Sequence, residues 1–176
     1  MEERIIAADP VADPQGYQRE VLALLGGRDP VEVLEATVPA VRGYTDGLSQ
    51  QVLNRRPEPG EWSAAEVLGH LFDGEVAFAY RSRMILAQDT PTLSGYDQDA
   101  WARLPRPGFT ELLDAFAALR LGNLALVRQL APEAWQRVGV HSERGPTTMR
   151  VLVETTAGHD IAHLRQLEQT LVAVRA

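Results

Sequence analysis

Two histidines, His159 and His163, stand four residues apart near the carboxyl end of the chain. Residues at this spacing share one face of an α-helix, so both imidazoles can converge on one metal ion. The sequence contains only 4 histidines, so a pair at ligand spacing is stronger evidence for a metal site than it would be in a histidine-rich chain. By itself, however, such a pair is more commonly a surface or core feature that binds no metal.

His70 is the candidate third ligand, and it shares an apolar helix face with Val67 and Leu71. A histidine in this setting is more often a hydrogen-bonded core residue than a ligand. Metal sites in helical bundles are nevertheless built from side chains on facing helices, so a bundle interior can bring His70 opposite the histidine pair. Three imidazoles that leave a position open form a catalytic arrangement for zinc, and imidazole also suits nickel, copper and iron.

Two polar residues follow these histidines by one helical turn. Asp73 either orients an imidazole by accepting its second N–H group or is an ordinary helical acid. Gln166 either lines the pocket or hydrates the end of the helix. Asp160 lies about 100° around the helix from His159, so it cannot simply join the same ligand shell, and a surface or helix-pairing role is expected.

His141 is the remaining histidine, and it lies in a loop that leads into the last predicted helix. Loops often carry function and imidazole titrates near neutral pH, so His141 is a candidate substrate contact or proton shuttle. A solvated loop residue is the favoured interpretation. The sequence has neither a GxSxG serine motif nor an HExxH zinc motif, which argues against those hydrolase classes.

Apolar residues at helical spacing dominate the chain, and no long alternating run indicates a sheet. Asp29 before Pro30 predicts one helix start, and the Ser63…Glu66 capping box predicts another. A loop of about 20 residues at 88–108 exceeds ordinary connections and is typical of a functional loop. The helices are predicted over residues 14–25, from Asp29 past Val41, over 64–87, from Thr110 to Pro132, and from Thr147 or Thr148 to Val174, with a short extended piece at 138–140.

This pattern predicts an all-α protein, an antiparallel four-helix bundle with an extra N-terminal helix. At 176 residues the chain has the size of one domain, 1–176, with the bundle core at 29–174. With 45% hydrophobic and 23% charged residues, it has the composition of a soluble globular protein.

The charge and composition exclude several functions. The net charge of -7 disfavours nucleic acid as a partner. No apolar run approaches the ~20 residues of a membrane span, and residues 1–10 lack a secretory signal, so a cytoplasmic protein without a membrane partner is expected. The absence of cysteine excludes disulfides and thiolate ligands, and the absence of lysine excludes Schiff-base and P-loop chemistry.

Two segments together resemble the DinB-like (DinB/YfiT) metalloenzyme family. Residues 59–63 (PGEWS) with 66–71 (EVLGHL) are similar to its entry into the second bundle helix, and residues 158–164 (GHDIAHL) with Gln166 are similar to its closing motif. The resemblance covers most of the chain and is weakest before Asp29. It implies a four-helix bundle with a metal site at His70, His159 and His163, occupied in that family by zinc or nickel.

The resemblance also frames the expected activity. Relatives include thiol-dependent S-transferases and isomerases that use bacillithiol, mycothiol or glutathione, many of them homodimers. A metal-dependent S-transferase or hydrolase with a small-molecule substrate, such as a low-molecular-weight thiol, is therefore expected. Arg81 and Arg83 are candidates to bind carboxylates of such a thiol, although exposed helix arginines are the simpler interpretation. The alternatives are a non-catalytic metal- or ligand-binding protein of stress response and a purely structural role of the histidines.

Overall fold

Four long helices form the framework of the protein. The computed structural model describes residues 12–175; the prediction about a secretory signal falls outside this range. The helices are α1 (Pro14–Ala23), α2 (Pro30–Thr45), α3 (Gln50–Leu53), α4 (Ala64–Ala87), α5 (Gln98–Ala102), α6 (Phe109–Val127) and α7 (Met149–Arg175), with a 3₁₀ turn at Pro132–Gln136. The predicted four-helix bundle is made of α2, α4, α6 and α7, and α1 is the additional N-terminal helix, packed on α7.

The helix starts follow the predicted caps. Asp29 accepts hydrogen bonds from the backbone amides of Val31 at 2.7 Å and Glu32 at 3.2 Å. The Ser63 and Glu66 capping box is present at the start of α4. Of the two threonine candidates for α7, Thr148 is the cap, since its hydroxyl accepts from the amide of Val151 at 3.1 Å.

Helices α4 and α7 lie side by side and run in opposite directions. Thr170, late in α7, donates to the carbonyl of Trp62 just before α4 at 3.4 Å. Further along both helices, His159 lies 2.9 Å from His70. This antiparallel pairing brings the middle of α4 opposite the middle of α7. The same direction holds for α2 against α6, as shown by the ion pairs Arg42–Asp114 and Glu35–Arg128.

Helices α2 and α7, in contrast, run in the same direction. Thr37 bonds to Asp160 at 2.7 Å, and Arg175 donates to the carbonyl of Tyr44 at 3.0 Å. Since α6 opposes α2 and α4 opposes α7, α4 and α6 must also run in the same direction. Their connection therefore has to return along the whole bundle, which explains the length of the predicted loop at 88–108.

The returning segment is ordered by contacts with α4 and by a small sheet. The sheet contains β1 (Thr92–Leu93), β2 (Val138–His141) and β3 (Gly145–Thr148), with β1 parallel and β3 antiparallel to β2. Arg81 of α4 donates to the carbonyl of Ser94 at 2.7 Å, and Arg106 donates to Asp73 at 3.1 Å. The segment thus passes over α4 from its last turns back to its middle.

Two apolar clusters fill the bundle, and a polar layer separates them. In α6, for example, Phe116 belongs to one cluster and Leu124 to the other, while Arg120 lies between them. The buried polar residues at the corresponding level of the other helices are Thr37, Glu75 and Asp160. No helix between residues 12 and 175 combines the length and the apolar character of a membrane span.

Arg120 is the centre of this polar layer. Its Nε donates to Glu75 at 2.8 Å, and its Nη1 lies 2.8 Å from Asp160. Asn123 donates to Glu75 at 2.8 Å, and Thr37 donates to Asp160 at 2.7 Å. All four bundle helices contribute to this network. It contains two carboxylates and one guanidinium group.

The first prediction concerns this layer. Replacement Arg120→Leu leaves two carboxylates buried without their cation, so we expect a loss of about 3–5 kcal/mol in the free energy of unfolding. Urea denaturation measures it. The control is Arg128→Leu, which removes an exposed pair with Glu35 and should cost less than about 1 kcal/mol. Equal effects of the two changes would contradict a central role for Arg120.

His141 is buried in β2, with 3% of its surface exposed, so the expectation of a solvated loop residue is wrong. The residues around it form a strand instead of an open loop, because β2 pairs on both sides. Its Nδ1 accepts from the amide of Glu143 at 3.2 Å, which places the ring proton on Nε2. Burial, aided by the charges of Arg144 and Arg81, lowers the pKa of His141 to about 3.

This shift makes stability depend on pH. Between about pH 6.5 and pH 3 the unfolded chain binds a proton at His141 that the folded chain does not, so stability falls as the pH falls. From pH 7 to pH 5, wild type should lose about 2 kcal/mol more than His141→Gln. Denaturant titrations of both proteins at the two pH values measure the difference. Parallel losses in the two proteins would show that His141 does not titrate in this way.

Candidate metal centre

Three histidines converge where α4 faces α7. His70 comes from α4, and His159 and His163 come from successive turns of α7. One nitrogen from each ring lies within 4.8 Å of the others, and the ring centroids are 4.3 to 4.9 Å apart. The structure therefore brings together the three residues that the sequence singled out as candidate ligands.

The distances suit a divalent ion. Two imidazole nitrogens on a tetrahedral zinc ion lie about 3.3 Å apart, given Zn–N bonds of about 2.0–2.1 Å. The Nε2 atoms of His70 and His159 are 2.9 Å apart, so a small outward shift of the rings admits an ion. The donor set is all nitrogen, which suits zinc and nickel better than magnesium or calcium. The residues present thus fit the metal that the sequence led us to expect.

The protein also keeps the imidazoles of His70 and His163 neutral. Burial lowers the pKa of His70 well below its ordinary value, and the charges of His163 and His159 lower it further. Burial, with the charge of His159, lowers the pKa of His163 to about 3. Neutral imidazole is the form that binds metals, so both rings offer a lone pair at neutral pH.

Gln166 orients one of the rings. Its Oε1 lies 2.8 Å from Nδ1 of His163, and because an amide oxygen only accepts, Nδ1 carries the proton. The lone pair on Nε2 of His163 is then free for an ion. Gln166 thus lies against a candidate ligand instead of only hydrating the end of the helix.

Asp160 lies behind a second ring. Its Oδ1 is 3.7 Å from Nδ1 of His159, and it is buried, so the surface alternative is wrong and the helix-pairing role is confirmed by its bonds to Thr37 and Arg120. Burial raises the pKa of Asp160, but the charge of Arg120 and the bond to His159 outweigh this and lower it to about 2. Asp160 is therefore a carboxylate at all ordinary pH values.

Asp73 faces an arginine from the returning segment. Both of its oxygens accept from Arg106, whose guanidinium lies across Gly69, where a Cβ atom would come within 2.8 Å of Nε. The charge of Arg106 is close enough to lower the pKa of His70. Sequence reasoning missed Arg106, because nothing in a local pattern links residues 33 positions apart.

Trp62 covers the histidines from the start of α4. Its ring centroid is 5.1 Å from that of His70 and 6.4 Å from that of His163. On the other side Gly74 leaves room for His159, since a Cβ at this position would lie 3.3 Å from Cε1 of that ring. The candidate site is thus closed at one end by an indole and left open toward Gly74.

A cavity of about 560 Å³ begins at His70 and His159 and extends along α4 beneath the returning segment. This size is within the range of small-molecule sites. Arg81 lines the cavity and is buried, so the interpretation as an exposed helix arginine is wrong for it. Arg83 is exposed and donates to Asn123 of α6 at 3.0 Å, away from the cavity.

Known proteins share this architecture. A solved structure of YfiT from Bacillus subtilis, described as a probable metal-dependent hydrolase with an unusual four-helix bundle topology, matches with a TM-score of 0.71 and 22% identity, covering 80% of this chain and 84% of that one. This likeness supports the fold. The predicted all-α four-helix bundle is confirmed.

Related sequences carry similar provisional names. The YfiT sequence of Bacillus subtilis, provisionally named a metal-dependent hydrolase, is 24% identical over 152 residues, 80% of this chain and 83% of that protein. A provisionally named metal-dependent hydrolase of Oceanobacillus iheyensis is 25% identical over 122 residues, 68% of this chain and 71% of that protein. One from Bacillus cereus is 26% identical over 129 residues, 70% and 75% of the two chains.

The family model of the DinB superfamily matches residues 34–167, a range that begins in α2, ends in α7 and includes all three histidines. With most of its length matched and the bundle in place, this chain belongs to the DinB superfamily.

Proposed function

We propose that this protein is a metal-dependent hydrolase of a small molecule, with His70, His159 and His163 as ligands of one zinc or nickel ion. The observation that carries the proposal is the convergence of these three imidazoles where α4 faces α7, with His70 and His159 lining one end of a cavity. The provisional names of the relatives support the same class of reaction. An ion at this position would acidify a bound water molecule and polarise a substrate carbonyl.

The chain's own residues hold the ligands and shape the space in front of them. Gln166 fixes the proton of His163 on Nδ1, and Asp160 lies behind Nδ1 of His159, the partner type that commonly orients metal-binding imidazoles. Trp62 covers one side of the rings, which excludes solvent from that side. The cavity gives a substrate access to His70 and His159 past Gly74.

A thiol-dependent S-transferase is the second candidate. The chain has no cysteine, so a thiol nucleophile would have to come from a cosubstrate, and the cavity of about 560 Å³ has room for one. In this case the ion would lower the pKa of the bound thiol rather than of water. A non-catalytic binding protein of stress response is the remaining alternative. The single domain, the cytoplasmic location and the homodimer stay predictions from the sequence.

The metal site yields a direct prediction. The purified protein should bind about one zinc or nickel ion per chain, and His70→Ala or His163→Ala should weaken that binding at least about 100-fold, because each change removes a ligand. His141→Ala is the matched control, since His141 is the only other histidine in the sequence and lies in β2. Metal content and competition with a chelator measure the effect. A variant of His70 with unchanged affinity would remove it from the ligand set.

The reaction class is tested with the metal-loaded protein. We expect turnover in a panel of small esters and amides without added thiol. His163→Ala should lower kcat/KM at least about 100-fold, because an ion held by this ligand would supply several kcal/mol of stabilisation to the transition state. His141→Ala again serves as the control. Turnover that requires both a thiol and an electrophile would support the S-transferase instead. Metal binding without turnover in either assay would favour the binding protein.

A further inference from the structure

Two arginines lie in the cavity at a distance from the histidines. Arg81 follows His70 by about three turns of α4, which corresponds to about 16 Å along the helix axis. Arg144 follows β2 in the turn that precedes β3 and lines the same cavity. Its charge lowers the pKa of Arg81, whose own burial is the larger cause. The two guanidinium groups therefore share one end of the cavity.

Neither arginine is neutralised by a close carboxylate. Arg81 is 7% exposed, donates to the carbonyl of Ser94 at 2.7 Å and lies 5.8 Å from the ring centroid of Tyr96. In the stretch 12–175, no carboxylate lies within 4.0 Å of Arg81 or Arg144. Three carboxylates line the same cavity at greater distances, those of Asp97, Asp99 and Glu143. Glu143 attracts Arg81, and its carboxylate lies against Gly95.

Arg81 differs in this respect from two other arginines of the interior, the buried Arg120 and the partly buried Arg106. Arg120 lies 2.8 Å from both Glu75 and Asp160, and Arg106 forms two hydrogen bonds with Asp73. Burying a cation without a paired anion is costly. A backbone carbonyl and an aromatic ring offset part of the cost of burying Arg81. Neither carries a negative charge, so the positive charge of Arg81 remains available to a ligand.

A buried hydroxyl points to a ligand independently. Thr155 lies in α7 one turn before His159, lines the cavity, and is 8% exposed. Its Oγ1 is buried and has no hydrogen-bond partner within the described residues. The hydroxyl of the next residue, Thr156, has a partner within the helix, since it donates to the carbonyl of Leu152 at 2.8 Å. A buried hydroxyl without a partner is costly, so a bound molecule is the natural partner for Thr155.

Two tyrosines complete this part of the cavity. Tyr17 and Tyr96 both line it. Burial raises the pKa of Tyr17 to about 12 and also raises the pKa of Tyr96, so both hydroxyls stay protonated and can donate hydrogen bonds. Guanidinium groups and phenol hydroxyls at one position form a typical set of donors for an oxyanion.

We propose, on the basis of the proposed function, that the substrate is an elongated small molecule with an anionic end, a carboxylate or a phosphate, bound by Arg81 and Arg144. The reactive group of this substrate lies at the three histidines. Thr155 hydrogen-bonds to the part of the substrate between its reactive group and its anionic end. Simple acetate esters are too short to reach both ends, so they would react without any contribution from the arginines and more slowly than esters with an anionic end.

Anion binding can be measured without knowing the reaction. Inorganic phosphate and succinate are titrated by calorimetry into the full-length protein, both zinc-loaded and after chelator treatment. We expect saturable binding of at least one anion in the millimolar range or tighter in both forms. Arg81→Gln and Arg144→Gln should each weaken it about tenfold or more, since hydrogen bonds to charged groups are lost. Arg83→Gln, on the same helix but facing α6, is the matched control and should change affinity less than about twofold.

The outcomes separate this proposal from the proposed function. Tighter binding of phosphate would identify a phosphorylated substrate, and tighter binding of succinate a carboxylate; either supports the proposal. Absence of saturable binding to wild type, or an equal loss in Arg83→Gln, would overturn it. Binding seen only with zinc and unaffected by Arg144→Gln would place the anion on the metal and also overturn it. A protein that binds the anion through its arginines but binds no metal would refute the metal site alone.

Discussion

Arg120 holds Glu75 and Asp160 in the middle of the bundle, between its two apolar clusters. A buried polar network is stable only when its members meet at hydrogen-bonding distance, so it fixes the relative height of the helices more strictly than apolar contacts do. Asp160 is adjacent to His159, and Glu75 follows His70 by five positions. The position of the histidines across α4 and α7 is therefore tied to that of Arg120.

The layer also has an electrostatic consequence for the histidines. Its two carboxylates exceed its single guanidinium, and Asp160 remains ionised with a pKa of about 2. Asp160, one of these two carboxylates, lies directly behind His159. A divalent cation held by neutral imidazoles would carry its whole charge into the bundle, and this carboxylate offsets part of it at short range. The same residue that sets helix position thus favours a cation at the candidate site.

Local sequence patterns predicted the features that depend on neighbours along the chain. Asp29 and the Ser63 box start their helices as predicted, because a cap is satisfied within four residues. The pairing of His159 with His163 follows from helix geometry alone. The choice of His70 as their partner needed the resemblance to a family, since its helix face could equally have been core. The spacing of residues along the chain does not indicate which helix faces the histidine pair.

The features that sequence reasoning missed are contacts between distant segments. Arg106 meets Asp73 only because α4 and α6 run in the same direction, which forces their connection back over α4. The same return places β1 against β2 and buries His141, which a loop pattern suggested to be solvated. It also covers Arg81, since Ser94 and Tyr96 belong to this segment. The oversight of Arg106 and the errors about His141 and Arg81 thus share one physical source, a helix direction that no local pattern encodes.

The two ends of the cavity differ in the charged groups closest to them, although Asp97, Asp99 and Glu143 also line it. Near the histidines, Asp160 and the excess charge of the polar layer favour a cation. At the far end, Arg81 and Arg144 lack close carboxylates within residues 12–175 and favour an anion. A molecule with one anionic end would therefore enter in a single orientation and present its other end to the histidines. Charge would thus orient the substrate before the substrate contacts an ion. Such orientation requires no rearrangement of the bundle.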